Sequence, residues 1–262
     1  MNPPTAWPAK LLAIARYAAL ASALALLVAG PGHRLRLVPF EVAFKGPFLI
    51  GVLAALAAFM LAGVALLTTR GGRSEPRAWR NGLAFAFGAV VVIVAAHWYG
   101  QLRSASLLHD VSTDTVSPPP FVEAAPRRAA DHATNSLDYV ADYSVDGAAV
   151  NAPELQKELY PDLRPILLRA KKPAEGFALA EKAARAMGWE IVAVVADEFR
   201  IEATSTSPFF GLKDDIAIRV RSERAGRGTV IDIRSASRIG ANDAGANARD
   251  IREFADRLKT MN

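Results

Sequence analysis

The chain has 262 residues, 52 % of them hydrophobic and 22 % charged, with a formal net charge of +5, too apolar a balance for an ordinary soluble protein. The charge is divided: residues 1–103 carry ten Lys/Arg against two acids, and residues 104–262 carry 21 against 24. The basic excess therefore belongs to loops flanking apolar spans, which excludes a nucleic-acid-binding face, and the absence of cysteine excludes disulfides, thiolate metal sites and a cysteine nucleophile.

Three apolar stretches come first and predict membrane spans over about 11–31, 47–68 and 81–99. Phe48 to Thr68 offers 21 residues without a charge, against the ~20 that cross ~30 Å of hydrocarbon. Gly82 to Ala96 is a shorter uncharged run ending on His97, Trp98 and Tyr99, an interfacial aromatic end. Tyr17 to Gly30 spans only 14 residues behind Lys10 and Arg16; it is either a short retained helix or the apolar core of a signal peptide, and the spans that follow favour retention. Small residues stand at four-residue spacing, Gly51 with Ala55 and Ala84 with Gly88. Such pairs let helices approach closely, or arise by chance in alanine-rich spans. The N-terminus and the 69–80 loop hold six cations against four on the opposite side, Arg34, Arg36, Lys45 and Arg103. That bias places the N-terminus in the cytoplasm and the C-terminal domain, residues 104–262, outside it.

After the spans, His109, Asp110 and Asp114 form the place where a histidine and carboxylates cluster in the sequence, ahead of Pro118, Pro119 and Pro120. They read either as a general acid and base or cation ligands, or as a polar turn bonding its own backbone; one histidine is too little for a zinc site. Residues 104–172 are expected to be largely irregular, with a short helix near Pro153 to Tyr160 and enough apolar residues, Ile166 to Leu168 among them, to pack on a domain. Pro173 opens a helix that Gly188 stops. Strands follow over Trp189 to Val195, Phe199 to Ser205, Ile216 to Val220 and around Ile231 and Ile233. Asn242 or Asp243 then caps a helix carrying Asn247, Ile251, Phe254 and Leu258 on one face. The fold class is α+β: about three transmembrane helices, then a four-stranded antiparallel sheet with two helices on one face, in α-β-β-β-β-α order.

The blocks HDVSTDT, IEATSTSPFFGLKDDIAIRVR and DIRSASRIGANDAGANARDIREF, in that order, resemble the domain-of-unknown-function 1499 family over about residues 109–260. The resemblance implies a bacterial envelope or plastid setting; together with the spans and their cation bias the expected location is a bacterial inner membrane with a periplasmic domain. It implies no activity, cofactor or catalytic residue.

Strand alternation places Arg200, Glu202 and Thr204, then Arg219 and Arg221, then Asp232, Arg234 and Arg238 on the sheet face opposite the helices, five arginines against two acids. A turn near Gly226 sets Arg219 opposite Asp232. Arginine suits bidentate recognition of carboxylate or phosphate, so this face reads as an anion-binding surface for a lipid headgroup or an acidic envelope polymer, or as a charged face that is solvated or covered by residues 123–172. Phe209 and Phe210, at a loop tip between strands, either touch the membrane or a pocket or close the end of the core. Two function classes follow. The favoured one is a non-enzymatic binding or assembly module with the bilayer, an anionic lipid or polymer and a membrane protein as partners. The other is a membrane-proximal hydrolase using His109, Asp110 and Asp114, with or without a divalent metal. No cofactor motif is present.

Overall fold

The computed structural model describes residues 7–68, 78–104, 107–145, 147–224, 226 and 228–261. The 69–77 loop, whose arginines enter the orientation argument, lies outside them, as do the side chains of Trp98 and Tyr99. The chain divides into two units, one made of residues 1–100 with Pro208–Gly211 and the other of residues 101–207 with 212–262.

The first unit is helical. Helix α1 (Trp7–Arg34) is followed by a short α2 (Phe40–Ala43), a π-helical turn (Phe44–Phe48) and α3 (Leu49–Thr68), and then α4 (Ala78–Ser104). Pro47 sits inside the π turn, where its missing N–H and its ring are incompatible with regular α-helical bonding. Two helical stretches, Ala9–Arg34 and Phe40–Leu67, are long and apolar enough to cross a membrane; the described apolar run of α4, Gly82–His97, is shorter. The expectation of about three transmembrane helices is met, among the described residues, by two helices of spanning length and one shorter apolar run.

The small residues sit where helices come closest. On α3, Ala55, Ala58, Ala62 and Ala65 are all fully buried. A side chain at Gly51 would meet Leu26 of α1 at 2.7 Å, and one at Gly88 of α4 would meet the Ala55 carbonyl at 2.8 Å. Ser22 Oγ also donates to the Gly51 carbonyl at 2.7 Å, a polar tie between apolar helices.

Phe40, Phe44 and Phe48 stack on successive turns with centroids 5.6 and 5.2 Å apart. The Pro208–Gly211 loop belongs to this unit: Phe210, 2 % exposed, lies edge-on to Phe40 and Phe48 at 5.5 Å, and Arg34 Nη1 donates to the Pro208 carbonyl at 2.7 Å. Phe209, 38 % exposed, stands over Gly30, where any Cβ would clash with its ring at 2.6 Å. Of the two sequence readings for this phenylalanine pair, Phe210 is a core residue of the helical unit and Phe209 is its half-open neighbour.

The second unit is the α+β domain. Its central strands are the four the sequence predicts: β5 (Glu190–Val195), β6 (Arg200–Thr206), β7 (Lys213–Ser222) and β8 (Gly228–Ser237). They form antiparallel neighbours in the order β8-β7-β6-β5. The free edge of β8 is shared by two short strands absent from the sequence expectation, β1 (Asp110–Ser112) and β4 (Ile166–Arg169), making a six-stranded sheet. A separate hairpin joins β2 (Asp142–Val145) to β3 (Ala148–Asn151). The four-strand count is therefore corrected to eight strands in two sheets among the described residues, and the described residues of 104–172 are not largely irregular. They also hold α5 (Ala125–Ala130) and α6 (Ala152–Leu159).

Helices α7 (Pro173–Ala186) and α8 (Ala246–Met261) cover one face of the large sheet. The backbone N–H of Lys172 donates to Glu175 at 2.8 Å at the start of α7, and Asp243 accepts from the N–H groups of Gly245 and Asn247 at the start of α8. Ile201, Ile216, Ile218, Ile231 and Ile233 meet Ile251, Phe254 and Leu258 in one buried core. Each large apolar side chain in it contributes roughly 1.5–3 kcal/mol by leaving water.

Candidate functional site

Strand alternation turns the arginines away from that core, and the register supplies their first partners. Arg219 stands opposite Asp232, as the Gly226 turn predicts, but it also stands opposite Arg200 on its other side. Two like charges facing each other across a ladder need acids to hold them there. Arg200 bonds Glu198 at 2.9 Å and pairs with Glu202. Arg219 bonds Asp232 at 3.0 Å and Asp114 at 3.1 Å.

Much of this face is covered by the segment leaving β1. Phe121 and Ala124 pack with Leu137 on Ala217 and Ala236 of the sheet. Glu202, fully buried, accepts the backbone N–H groups of Val122, Glu123 and Ala124 at 2.9 to 3.2 Å, which secures the chain as it enters α5. From α5, Arg128 reaches Asp215 at 2.8 Å, and Asp215 also takes Arg238 at 2.6 Å and Thr204 Oγ1 at 3.1 Å. Asp131 pairs with Arg238 and with Lys213. Arg234 grips both oxygens of Asp110, the shortest contact being 2.6 Å, and lies 4.6 Å from the Phe121 ring centre.

The balance on this face is equal. Among the described residues, eight cations (Arg127, Arg128, Arg200, Lys213, Arg219, Arg221, Arg234, Arg238) meet eight carboxylates (Asp110, Asp114, Asp131, Glu190, Glu198, Glu202, Asp215, Asp232). The arginine excess counted along the strands disappears because Asp110, Asp114 and Asp131 come from the segment preceding and covering the face. Arg234 and Arg238 keep only 3 % and 4 % of their side-chain surface, whereas Arg219 keeps 24 % and Arg221 37 %. Of the five anion-binding candidates, Arg219 and Arg221 are the accessible ones.

The catalytic candidates do not converge. Asp110 is held by Arg234, while Asp114 accepts the N–H groups of Val116 and Ser117 at 3.1 and 2.9 Å and pairs with Arg219. His109 sets its ring edge-on to Tyr143 at 5.2 Å between centroids, with a buried Nδ1 that has no hydrogen-bond partner among the described residues. Burial pushes the His109 pKa below its ordinary value, although Asp110 and Asp243 oppose the shift. Burial likewise pushes the Tyr143 hydroxyl up to about 12. Among the described residues, no group of three or more histidine, aspartate or glutamate side chains could hold a metal ion.

A second set of acids lies on the other side of the sheet, beneath the start of α8. Burial raises the pKa of Asp214 to about 7 and that of Asp250 to about 6, with hydrogen bonds to Ser237 and Ser205 opposing the respective shifts. Asp243 is raised too, again chiefly by burial. Asp243 was expected only as a helix cap, and Asp214, Asp250, Arg128, Asp131 and Asp215 were not site candidates in the sequence. Asp215 could have been found from its neighbours, since it alternates with Arg219 and Arg221 on the same strand. Asp131 carries no local signal, being 107 residues from its partner Arg238.

Comparison with protein families gives a match over residues 110–258 to the family described as "Protein of unknown function (DUF1499)". Comparison with curated proteins gives no match.

Proposed function

The chain belongs to the DUF1499 family, and we propose that it is a membrane-anchored binding or assembly module of the bacterial cell envelope, without catalysis of its own. The observation supporting this reading is the equal balance of the sheet face. Asp110 and Asp114, the carboxylates on which a hydrolase would depend, are engaged by Arg234 and Arg219. Taking such charges from water costs several kcal/mol per ion and is offset only by close, well-bonded partners, so the network acts as structure.

In this reading the spans lie in the inner membrane with the N-terminus cytoplasmic and the domain periplasmic, consistent with the cation bias of the loops. Arg219 and Arg221, part-exposed at the rim of the covered face, meet an anionic lipid headgroup. Native mass spectrometry of the full chain released from nanodiscs containing phosphatidylcholine and phosphatidylglycerol tests it. Retained phosphatidylglycerol that is weakened in the Arg221→Gln variant, which leaves Arg219 paired with the buried Asp232, is the expected result. Equal retention by parent and variant removes the headgroup role, and an ester- or phosphate-hydrolysing activity abolished by Asp114→Asn replaces the module with an enzyme.

A further inference from the structure

A cleft of about 470 Å³ opens beside the start of the covering segment, between residues 113–115 and the α6 region. Its volume lies within the range of small-molecule sites, roughly 300 to 1,000 Å³. Its frame is fixed from both sides. The Gln156 side chain both accepts from the Ser112 N–H at 3.0 Å and donates to the Ser112 carbonyl at 2.7 Å, locking α6 to the outer edge of β1. Asn151 caps α6 through the Glu154 N–H at 3.0 Å, and Pro153 and Pro161 stiffen the walls.

The lining divides by chemistry. Tyr160 and Leu163 give an apolar surface, Thr115 a hydroxyl, and Lys157 and Arg164 two exposed cations against the one carboxylate of Glu154. Arg164 uses Nε on the Pro161 carbonyl at 3.2 Å, a bond that neutralises no charge. Asp162, the flanking acid, is engaged by both donor arms of Arg252 at 2.6 and 2.7 Å. The contrast with the sheet face is one of charge: there each cation meets a carboxylate, whereas the cleft is left positive.

We propose that this cleft is a binding site for a small anion carried on a hydroxylated carbon skeleton, a polyol phosphate. The inference rests on the binding-module reading and gives it a second, separate site. Lys157 and Arg164 take the phosphate through charge-assisted bonds, Tyr160 and Leu163 cover the carbon skeleton, and Glu154 and Thr115 meet its hydroxyls.

The test is calorimetric titration of the full chain in phosphatidylcholine nanodiscs with glycerol 3-phosphate, glycerol and inorganic phosphate. Glycerol 3-phosphate is expected to bind saturably and more tightly than either fragment. The Lys157→Gln, Arg164→Gln variant, whose changed side chains are exposed, is expected to keep the parent melting profile and to bind roughly tenfold more weakly or worse. Glu154→Gln, by removing the opposing charge, is expected to tighten inorganic phosphate. Adding phosphatidylglycerol to the nanodiscs separates the sources: competition with the soluble probe assigns a lipid headgroup, and its absence assigns a soluble or polymer-borne ligand. No saturable binding by the parent overturns the proposal, as does full binding by the cleft variant. Binding lost in the Arg221→Gln variant, which leaves Arg219 paired with the buried Asp232, but kept in the cleft variant overturns the cleft alone and leaves the module standing.

Discussion

Asp214 is a buried acid on the helix-facing side of β7, with Ser205 and Ser237 beside it in register. The charged groups that act on it are carboxylates: Asp250 and Asp243 from the start of α8, and Asp215 from its own strand. Arg249 opposes them by acting on Asp243 and Asp250, Glu253 adds to the repulsion on Asp250, and Asp243 also acts on His109. An unfolded aspartate titrates near ~4, whereas Asp214 in the fold titrates at about 7. Between those values the folded chain holds a proton that the unfolded chain has lost. The stabilising contribution is therefore full below ~4, falls as pH rises through that window, and is gone above the folded value. Asp250, at about 6, adds a fall of the same sign. Asp214→Asn keeps a neutral hydrogen-bonding group at the site and is expected to flatten the decline, so that the variant melts above the parent at pH 8 and no higher than the parent at pH 4. Melting profiles that stay parallel from pH 4 to pH 8 would show that Asp214 does not hold this proton.

At the level of elements, what was legible in the sequence was what repeats. The alternation of Ile216, Ile218 and Val220, the proline that opens α7 and the acid that caps α8 each act within a few residues, and each lies where expected. β1 and β4 were not legible, because strands of three and four residues hold too few positions to show a period. They exist because β8 offers its outer edge, and that edge was visible only after folding. The same reason hid the covering segment: its hold on the sheet runs through Glu202, about 80 residues from the backbone groups it binds. The pairing that stabilises β1 is equally non-local, with the Gln156 amide acting as one more residue of a strand. Gln156→Leu leaves the Ser112 N–H and carbonyl without partners in a buried place, at a cost of about 1–3 kcal/mol each. Hydrogen exchange of residues 110–113 in this variant is expected to accelerate by one to several powers of ten while β6 and β7 stay protected. Unchanged protection of β1 would assign its stability to β8 alone.

For the whole molecule, the two units carry their charge differently, and that difference bears on orientation. The α+β domain pairs its buried cations internally with carboxylates. The expected orientation rests on the cations beside the spans, six against four. Because the chain has no cysteine, one introduced thiol is a unique reporter. Ser222→Cys, at the exposed end of β7, changes no ion pair of the sheet face. Expressed in a Gram-negative host, this variant is expected to react with a membrane-impermeant maleimide in intact spheroplasts, and a second variant, Lys10→Cys near the N-terminus, only after lysis. Labelling in the reverse order would place the domain in the cytoplasm and remove periplasmic anions as ligands, while the covered face and the cleft, which depend on contacts within the domain, would keep their geometry.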